Sequence, residues 1–99
     1  MGSMVARKDF NRYMMPVYKP AEFIPLKAKG SIVWDKKNKK YIDFASGIAV
    51  TSLGHCHPEL NKALADQSKK IWHLSNLLTN EPALRLAKIF CKHTFAEKV

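Results

Sequence analysis

The chain has 99 residues, 46% hydrophobic and 25% charged, with 17 Lys and Arg against 8 Asp and Glu and a formal net charge of +9. That balance excludes a disordered or collagen-like chain, and no apolar run approaches the roughly 18 residues of a membrane-spanning helix. Two cysteines, Cys56 and Cys91, are too few for a disulfide framework and point to a reducing, cytoplasmic setting. The surplus of positive charge fits a nucleic-acid partner, or a piece of a longer chain whose acidic residues lie elsewhere.

Met1-Gly2-Ser3 ahead of Met4 reads as an added leader, with no signal-peptide core behind it. Ala6 stands where a myristoylation signal needs Ser or Thr. Residues 1–12 are therefore taken as leader and flexible lead-in, with a short helix possible within 5–15, and residues 13–99 as a single unit. Pro16, Pro20 and Pro25 each remove a backbone donor and bias the preceding residue to extended geometry, so residues 17–26 should run extended. Ser31-Ile32-Val33-Trp34-Asp35 and Tyr41-Ile42-Asp43-Phe44-Ala45 carry the β-branched and aromatic pattern of strands. Lys36-Lys37-Asn38-Lys39-Lys40 between them reads as a hairpin turn, with Asn38 best suited to positive φ. In the second strand Ile42 and Phe44 share one face, and Tyr41 and Asp43 the other. Residues 48–53 lack alternation and are left between a third strand and a loop.

Pro58 suits the first turn of a helix, which the spacing of Leu60, Ala63, Leu64, Ile71 and Trp72 carries to about residue 73. Asp66 is placed to pair with Lys69 or Lys70. A second helix begins near Asn80-Glu81-Pro82, capped by Thr79 or Asn80. Its apolar face is Ala83, Leu86, Ala87 and Phe90, and its wet face Arg85, Lys88 and Lys92. Residues 95–99 read as the approach to another strand, so the sequence is expected to be a fragment. Without further chain to cover its apolar surfaces, the isolated piece should fold poorly.

The Gly-bracketed stretch from Gly47 to Pro58 is the most conspicuous feature. His55-Cys56-His57 invites a metal or nucleophilic reading, but neighbours on one turn do not complete a tetrahedral site, and no third group orients a Cys–His dyad. The stronger reading is a tight turn whose histidines bond locally. The lysines of residues 36–40 read as a solvated hairpin tip rather than a phosphate-binding patch. No P-loop and no G-x-G-x-x-G occurs.

With those residues placed, the chain resembles the N-terminal part of class III pyridoxal-phosphate-dependent aminotransferases. The matching stretches are Tyr18-Lys19-Pro20, Gly30 with Trp34-Asp35, Tyr41-Ile42-Asp43-Phe44, Gly47-Ile48-Ala49-Val50 and Gly54-His55-Cys56-His57-Pro58. Trp72-His73-Leu74-Ser75-Asn76 and Thr79-Asn80-Glu81-Pro82-Ala83-Leu84 are similar to the branch that acts on acylated ornithine.

The resemblance implies an α/β chain: a small antiparallel sheet followed by two helices, forming the N-terminal segment of a fold type I transferase. It implies a homodimer with pyridoxal 5'-phosphate as cofactor. The reaction it implies moves an amino group between N-acetylornithine, or succinylornithine, and 2-oxoglutarate in arginine metabolism. Ornithine- and 4-aminobutyrate-type enzymes of the family are the alternative, and a basic nucleic-acid-binding module a more distant one. The family's phosphate loop, its Schiff-base lysine and the Asp that pairs with the pyridine nitrogen match nothing in these 99 residues. No catalytic, cofactor-binding or metal residue is therefore assigned, and the chain alone is expected to be inactive. By the same resemblance Tyr18 and Ile48 match substrate-contacting positions, Ile48 standing where the ornithine branch has an aromatic residue. Asn80 lies on an inter-helix loop near the partner subunit's site. The residues by themselves read Tyr18 equally as packing and Asn80 as a helix cap.

Overall fold

The computed structural model describes residues 4–99; the leader assigned to residues 1–3 lies outside them. The element order is α1 (Asp9–Tyr13), β1 (Pro25–Lys29), β2 (Ile32–Asp35), β3 (Lys40–Ile42), α2 (Ser46–Ala49), α3 (Pro58–Ser68) and α4 (Glu81–His93). Two compact units divide the chain near Asn61 and Lys62.

The first unit is built on a three-stranded antiparallel sheet in the order β1-β2-β3. Lys29 pairs with Ile32, which leaves Gly30 and Ser31 as a two-residue turn, and Gly30 supplies its positive φ of 57°. Val33 pairs with Tyr41 and Trp34 with Lys40. The β2–β3 hairpin is the one that the sequence predicts, with Asn38 at φ 61°. The third strand is not where the sequence left room for it. It precedes the hairpin, at Pro25–Lys29, and residues 48–53 form no strand. Pro25 is tolerated because it opens an edge strand, beside an irregular register between Pro25 and Lys27.

Asp35, with 8% of its surface exposed, is the one buried polar residue among the described residues, and it organises the hairpin. Its Oδ1 accepts from the N–H groups of Lys37 (2.8 Å) and Lys39 (2.9 Å), and its Oδ2 from the Tyr41 hydroxyl (3.0 Å). Desolvation works to raise the Asp35 pKa, but the hydrogen bonds from Lys39, Tyr41 and Lys37 and the Lys37 charge outweigh it and hold the group below its ordinary value. Tyr41 is shifted upward by desolvation and by donating to that carboxylate. Phe23 stacks on Tyr41 with ring centroids 4.2 Å apart and planes 5° apart. The segment before β1 is tied down by Arg7, whose guanidinium donates to the carbonyls of Ala21 (2.6 Å) and Pro20 (2.7 Å), while Lys36 Nζ donates to the Val5 carbonyl.

The expected alternation of Tyr41, Ile42, Asp43 and Phe44 holds, although strand β3 ends at Ile42 rather than at Ala45. Tyr41 and Asp43 are half-buried within this unit, whereas Ile42 and Phe44 are exposed, Phe44 to 91%. No hydrophobic side chain is buried anywhere among the described residues. The unit's own chain covers the face of Tyr41 and Val33, where Phe23 stacks, while Ile42 on the other face and Phe44 beyond the strand stay open.

The second unit is helical. Helix α3 ends at Ser68, five residues short of the expected 73. Local side chains take over there: Ser68 Oγ donates to the Ala65 carbonyl, Trp72 Nε1 to that of Ser68 and Gln67 Nε2 to that of Ile71. Asp66 consequently pairs backwards along the helix, with Lys62 Nζ at 2.7 Å, rather than with Lys69 or Lys70, which lie past its end. In α4 the Asn80 Oδ1 accepts from Ala83 N–H at 2.9 Å, Glu81 stands in the first turn and Lys92 and His93 in the last, as the helix dipole favours. Thr94 closes the helix by donating from both its N–H and its hydroxyl to the Phe90 carbonyl. Residues 95–99 form no strand among the described residues.

Candidate functional site

The junction between sheet and helix, residues 43–57, concentrates most of the unusual backbone. It begins where the Asp43 N–H donates to the Ser31 carbonyl at 2.8 Å, the last tie between β3 and the sheet. Asp43 then folds its carboxylate forward. Oδ1 accepts from the N–H groups of Ala45 (3.1 Å) and Ser46 (2.9 Å), an Asx-type cap on the α2 turn.

That turn is left-handed. Ser46, Gly47, Ile48 and Ala49 all have positive φ, at 52°, 64°, 63° and 60°. Helical-type hydrogen bonds close it: Val50 N–H and Thr51 N–H both donate to the Ser46 carbonyl, at 2.8 and 2.9 Å. For L-residues this hand costs about 1–2 kcal/mol each, because Cβ crowds the following carbonyl. Only Gly47 escapes that cost, and a β-branched residue such as Ile48 is a genuine outlier there. Strain of this kind persists where the surroundings enforce it, and it clusters at functional sites. Here it presents Ile48, whose surface is 91% exposed, with Val50 and Leu53 also exposed nearby in the chain.

The far end of the junction is bolted to the sheet. Gly54, at φ 83°, lies so close to Gly30 that a Cβ would meet the Gly30 Cα at 3.0 Å. His55 exchanges two backbone hydrogen bonds with Gly30, at 2.8 and 3.0 Å. Its Nε2 lies 2.6 Å from Asp43 Oδ2. A carboxylate only accepts, so Nε2 carries the proton of that bond. The His55 hydrogen bond is the largest influence lowering the Asp43 pKa, with the Ser46 N–H next, against the opposing effect of desolvation. Asp43 thus joins both ends of the junction: one oxygen caps the left-handed turn and the other holds His55.

His57 hands the chain to α3, its Nδ1 accepting from Glu59 N–H at 3.2 Å and its carbonyl from Asn61 N–H at 2.9 Å. His57 therefore bonds locally, as the turn reading expects, whereas the His55 ring does not: it reaches back twelve residues to the Asp43 carboxylate. Neither is hydrogen-bonded to the exposed thiol of Cys56, and no cluster of three potential metal ligands occurs among the described residues.

The three residues singled out from the sequence fall in different settings. Tyr18, 81% exposed, lines a shallow groove of about 430 Å³ with Arg7, Phe10, Val17 and Pro20. Ile48 sits at the strained turn of the same unit. Asn80 belongs to the helical unit, where its side chain is the cap of α4. It also borders a concavity of about 840 Å³ with Trp72, His73, Glu81 and Arg85. The Asp43–His55 pair was missed from the sequence. An Asp three residues ahead of Ser46-Gly47 was the available signal, because short carboxylates bond backbone N–H groups two and three residues on.

The described residues do not fit a pyridoxal phosphate site. Every lysine among them is exposed, and no buried amine is present to hold an aldehyde.

Comparison with known proteins places this geometry. The family model "Aminotransferase class-III" matches residues 13–99. The chain is 62% identical over 96 residues to an acetylornithine/succinyldiaminopimelate aminotransferase of Buchnera aphidicola, covering 97% of this chain and 24% of that protein. It is 60% identical over 97 residues to a succinylornithine transaminase/acetylornithine aminotransferase of Pseudomonas aeruginosa, covering 98% and 24%. The crystal structure of N-acetylornithine aminotransferase from Stenotrophomonas maltophilia superposes with a TM-score of 0.74 at 36% identity, over 86% of this chain and 22% of that one. The chain therefore spans about a quarter of the length of the curated relatives it matches, at their N-terminal end. Its three-stranded sheet and helices are those of the N-terminal part of class-III aminotransferase structures, and the chain belongs to the class-III aminotransferase family.

Proposed function

We propose that these 99 residues are the N-terminal segment of an aminotransferase that moves an amino group between N-acetylornithine, or succinylornithine, and 2-oxoglutarate. The observation that carries this reading is the 62% identity over nearly the whole chain to a relative named for acetylornithine and succinyldiaminopimelate. Pyridoxal 5'-phosphate is the cofactor that the family implies, held mainly by residues outside these 99. The assembly is a homodimer working in the cytoplasm; no helix among the described residues is long and apolar enough to cross a membrane.

The segment's own contribution is to shape and to cover. Ile48 offers an apolar, non-aromatic surface to the acyl end of the substrate, from a strained backbone at positive φ. Tyr18 adds a hydroxyl at the rim of the substrate pocket. Asn80 caps α4 and carries the adjoining loop that faces the substrate. The exposed Ile42 and Phe44 belong to the surface on which the rest of the enzyme packs.

Glutamate formation from 2-oxoglutarate by the full-length enzyme tests the function. N-acetylornithine, succinylornithine, succinyldiaminopimelate, ornithine and 4-aminobutyrate would be compared as donors. The acylated donors are expected to give the highest kcat/KM. Preference for ornithine or 4-aminobutyrate would overturn the reading.

A further inference from the structure

We propose that Asp43 and His55 are positioning residues: together they form a latch that holds the left-handed turn of residues 46–49 against the sheet and so fixes where Ile48 is presented. The proposal deepens the function proposed for the segment and rests on it for the identity of the substrate and for the contact of Ile48 with it.

Three observations carry it. The turn is held by a carboxylate that does nothing else locally, Asp43 Oδ1 receiving the N–H groups of both Ala45 and Ser46. That carboxylate is not free to swing, because its other oxygen is bonded to His55 at 2.6 Å. His55 in turn is immobilised by two backbone hydrogen bonds to Gly30, against which Gly54 packs with no space for a side chain. The path from the sheet to the strained backbone is therefore continuous, Gly30 to His55 to Asp43 to Ser46. A carboxylate that joins the two ends of a junction also closes it over the fewest bonds, so loosening either contact frees the whole segment between.

The latch has a property that a simple structural hydrogen bond lacks. Its value depends on the strain it opposes. Ala49 at φ 60° is one source of that strain, and glycine at that position would carry none. Removing the strain should make the latch less necessary.

The test uses the full-length enzyme with Asp43→Ala, His55→Leu, Asp43→Asn and the double variant Asp43→Ala with Ala49→Gly. Asp43→Ala is expected to speed hydrogen exchange at the Val50 and Thr51 amides about tenfold or more while leaving β2 amides unchanged. It should raise the KM for N-acetylornithine about tenfold with kcat within about twofold, as expected when a binding surface is displaced rather than the reacting atoms. Asp43→Asn keeps the acceptor for Ala45 and Ser46 but turns an amide NH2 toward the His55 N–H, so it should recover only part of the loss. The Ala49→Gly partner should return KM to within about threefold of the parent.

Unchanged exchange in Asp43→Ala, or no rescue by Ala49→Gly, would overturn the latch. If Asp43→Ala does not fold, His55→Leu, which leaves the turn's own cap in place, gives the same readout with a smaller increase. Should the parent enzyme prove inactive on every ornithine-type donor, the function reading fails, while the exchange measurement still decides the latch.

Discussion

The two units of this chain are held together in opposite ways. In the helical unit, Lys62–Val99, every side-chain hydrogen bond spans four residues or fewer: Lys62 to Asp66, Asn80 to Ala83, Arg85 to Glu81, Thr94 to Phe90. In the sheet unit the defining bonds reach across the sequence, from Arg7 to Pro20 and Ala21, from Lys36 to Val5 and from His55 to Asp43. Among the described residues only the sheet unit carries non-glycine positions at positive φ, five of them. Local bonds make a structure that any sufficiently long helical stretch can reach. Long-range bonds can enforce a conformation that the chain would not choose, and here they enforce the turn that presents Ile48.

The largest effect bearing on this contrast is seen by dissecting the chain. A peptide covering α4 and its Asn80 cap should show weak but measurable helicity by circular dichroism, helices of this length being marginal alone. A peptide covering residues 25–57 should show neither sheet nor left-handed turn, since short hairpins without a covering layer are unstable. Sheet signal in the second peptide would mean that its long-range bonds are dispensable.

Within the full-length enzyme, glycines probe the same contrast. Gly54→Ala should destabilise by about 3 kcal/mol or more, adding a contact with the Gly30 backbone to the cost of a positive φ. Gly30→Ala has open space around it and should cost only the backbone term, about 1–2 kcal/mol. Denaturation midpoints for the two variants that coincide would show that the close approach of Gly54 to Gly30 carries no weight.

In the helical unit Asn80→Ala should cost about 1 kcal/mol through the lost cap, and Asn80→Asp little. If Asn80 also faces substrate, the Asp variant will keep stability and still raise KM, which separates the two roles. Acid should act on the sheet unit first. Asp35 and Asp43 both have folded-state pKa values below the ordinary 3.8, so their contribution is present above that value and is lost as pH falls through the depressed folded one. Asp35→Asn is accordingly expected to be less stable than the parent at neutral pH, with the difference closing below pH 3.8; a gap that widens in acid would contradict it. The smallest effect is Arg85→Ala, about 0.3–0.5 kcal/mol for an exposed pair with Glu81 one turn away.

The same contrast explains what the sequence disclosed. The Asn38 turn, the Pro58 start and the Asn80 cap were legible because each is decided by residues within four positions of one another, and the β2–β3 hairpin because that turn lies between two strand patterns. Strand β1 was hidden by Pro25 and by lysines at 27 and 29, although Gly30-Ser31 between two extended runs is a hairpin signal. The left-handed turn could not be read at all. Ile48 and Ala49 carry no preference for positive φ, and the contacts that hold it include ones from Asp43, His55 and Gly30, distant in sequence from one another. Of the candidate site, Ile48 was singled out through resemblance, but the geometry that makes it unusual came only with the structure.

The function proposed for this segment turns on one contact: Ile48, held in the left-handed turn, meets the acyl end of the substrate. Ile48→Tyr in the full-length enzyme probes that contact through the ratio of kcat/KM for N-acetylornithine to that for ornithine. The ratio is expected to fall by about tenfold or more, since an aromatic ring fills the space that an acyl group needs. An unchanged ratio in a variant that folds and turns over as the parent does would place Ile48 away from the substrate.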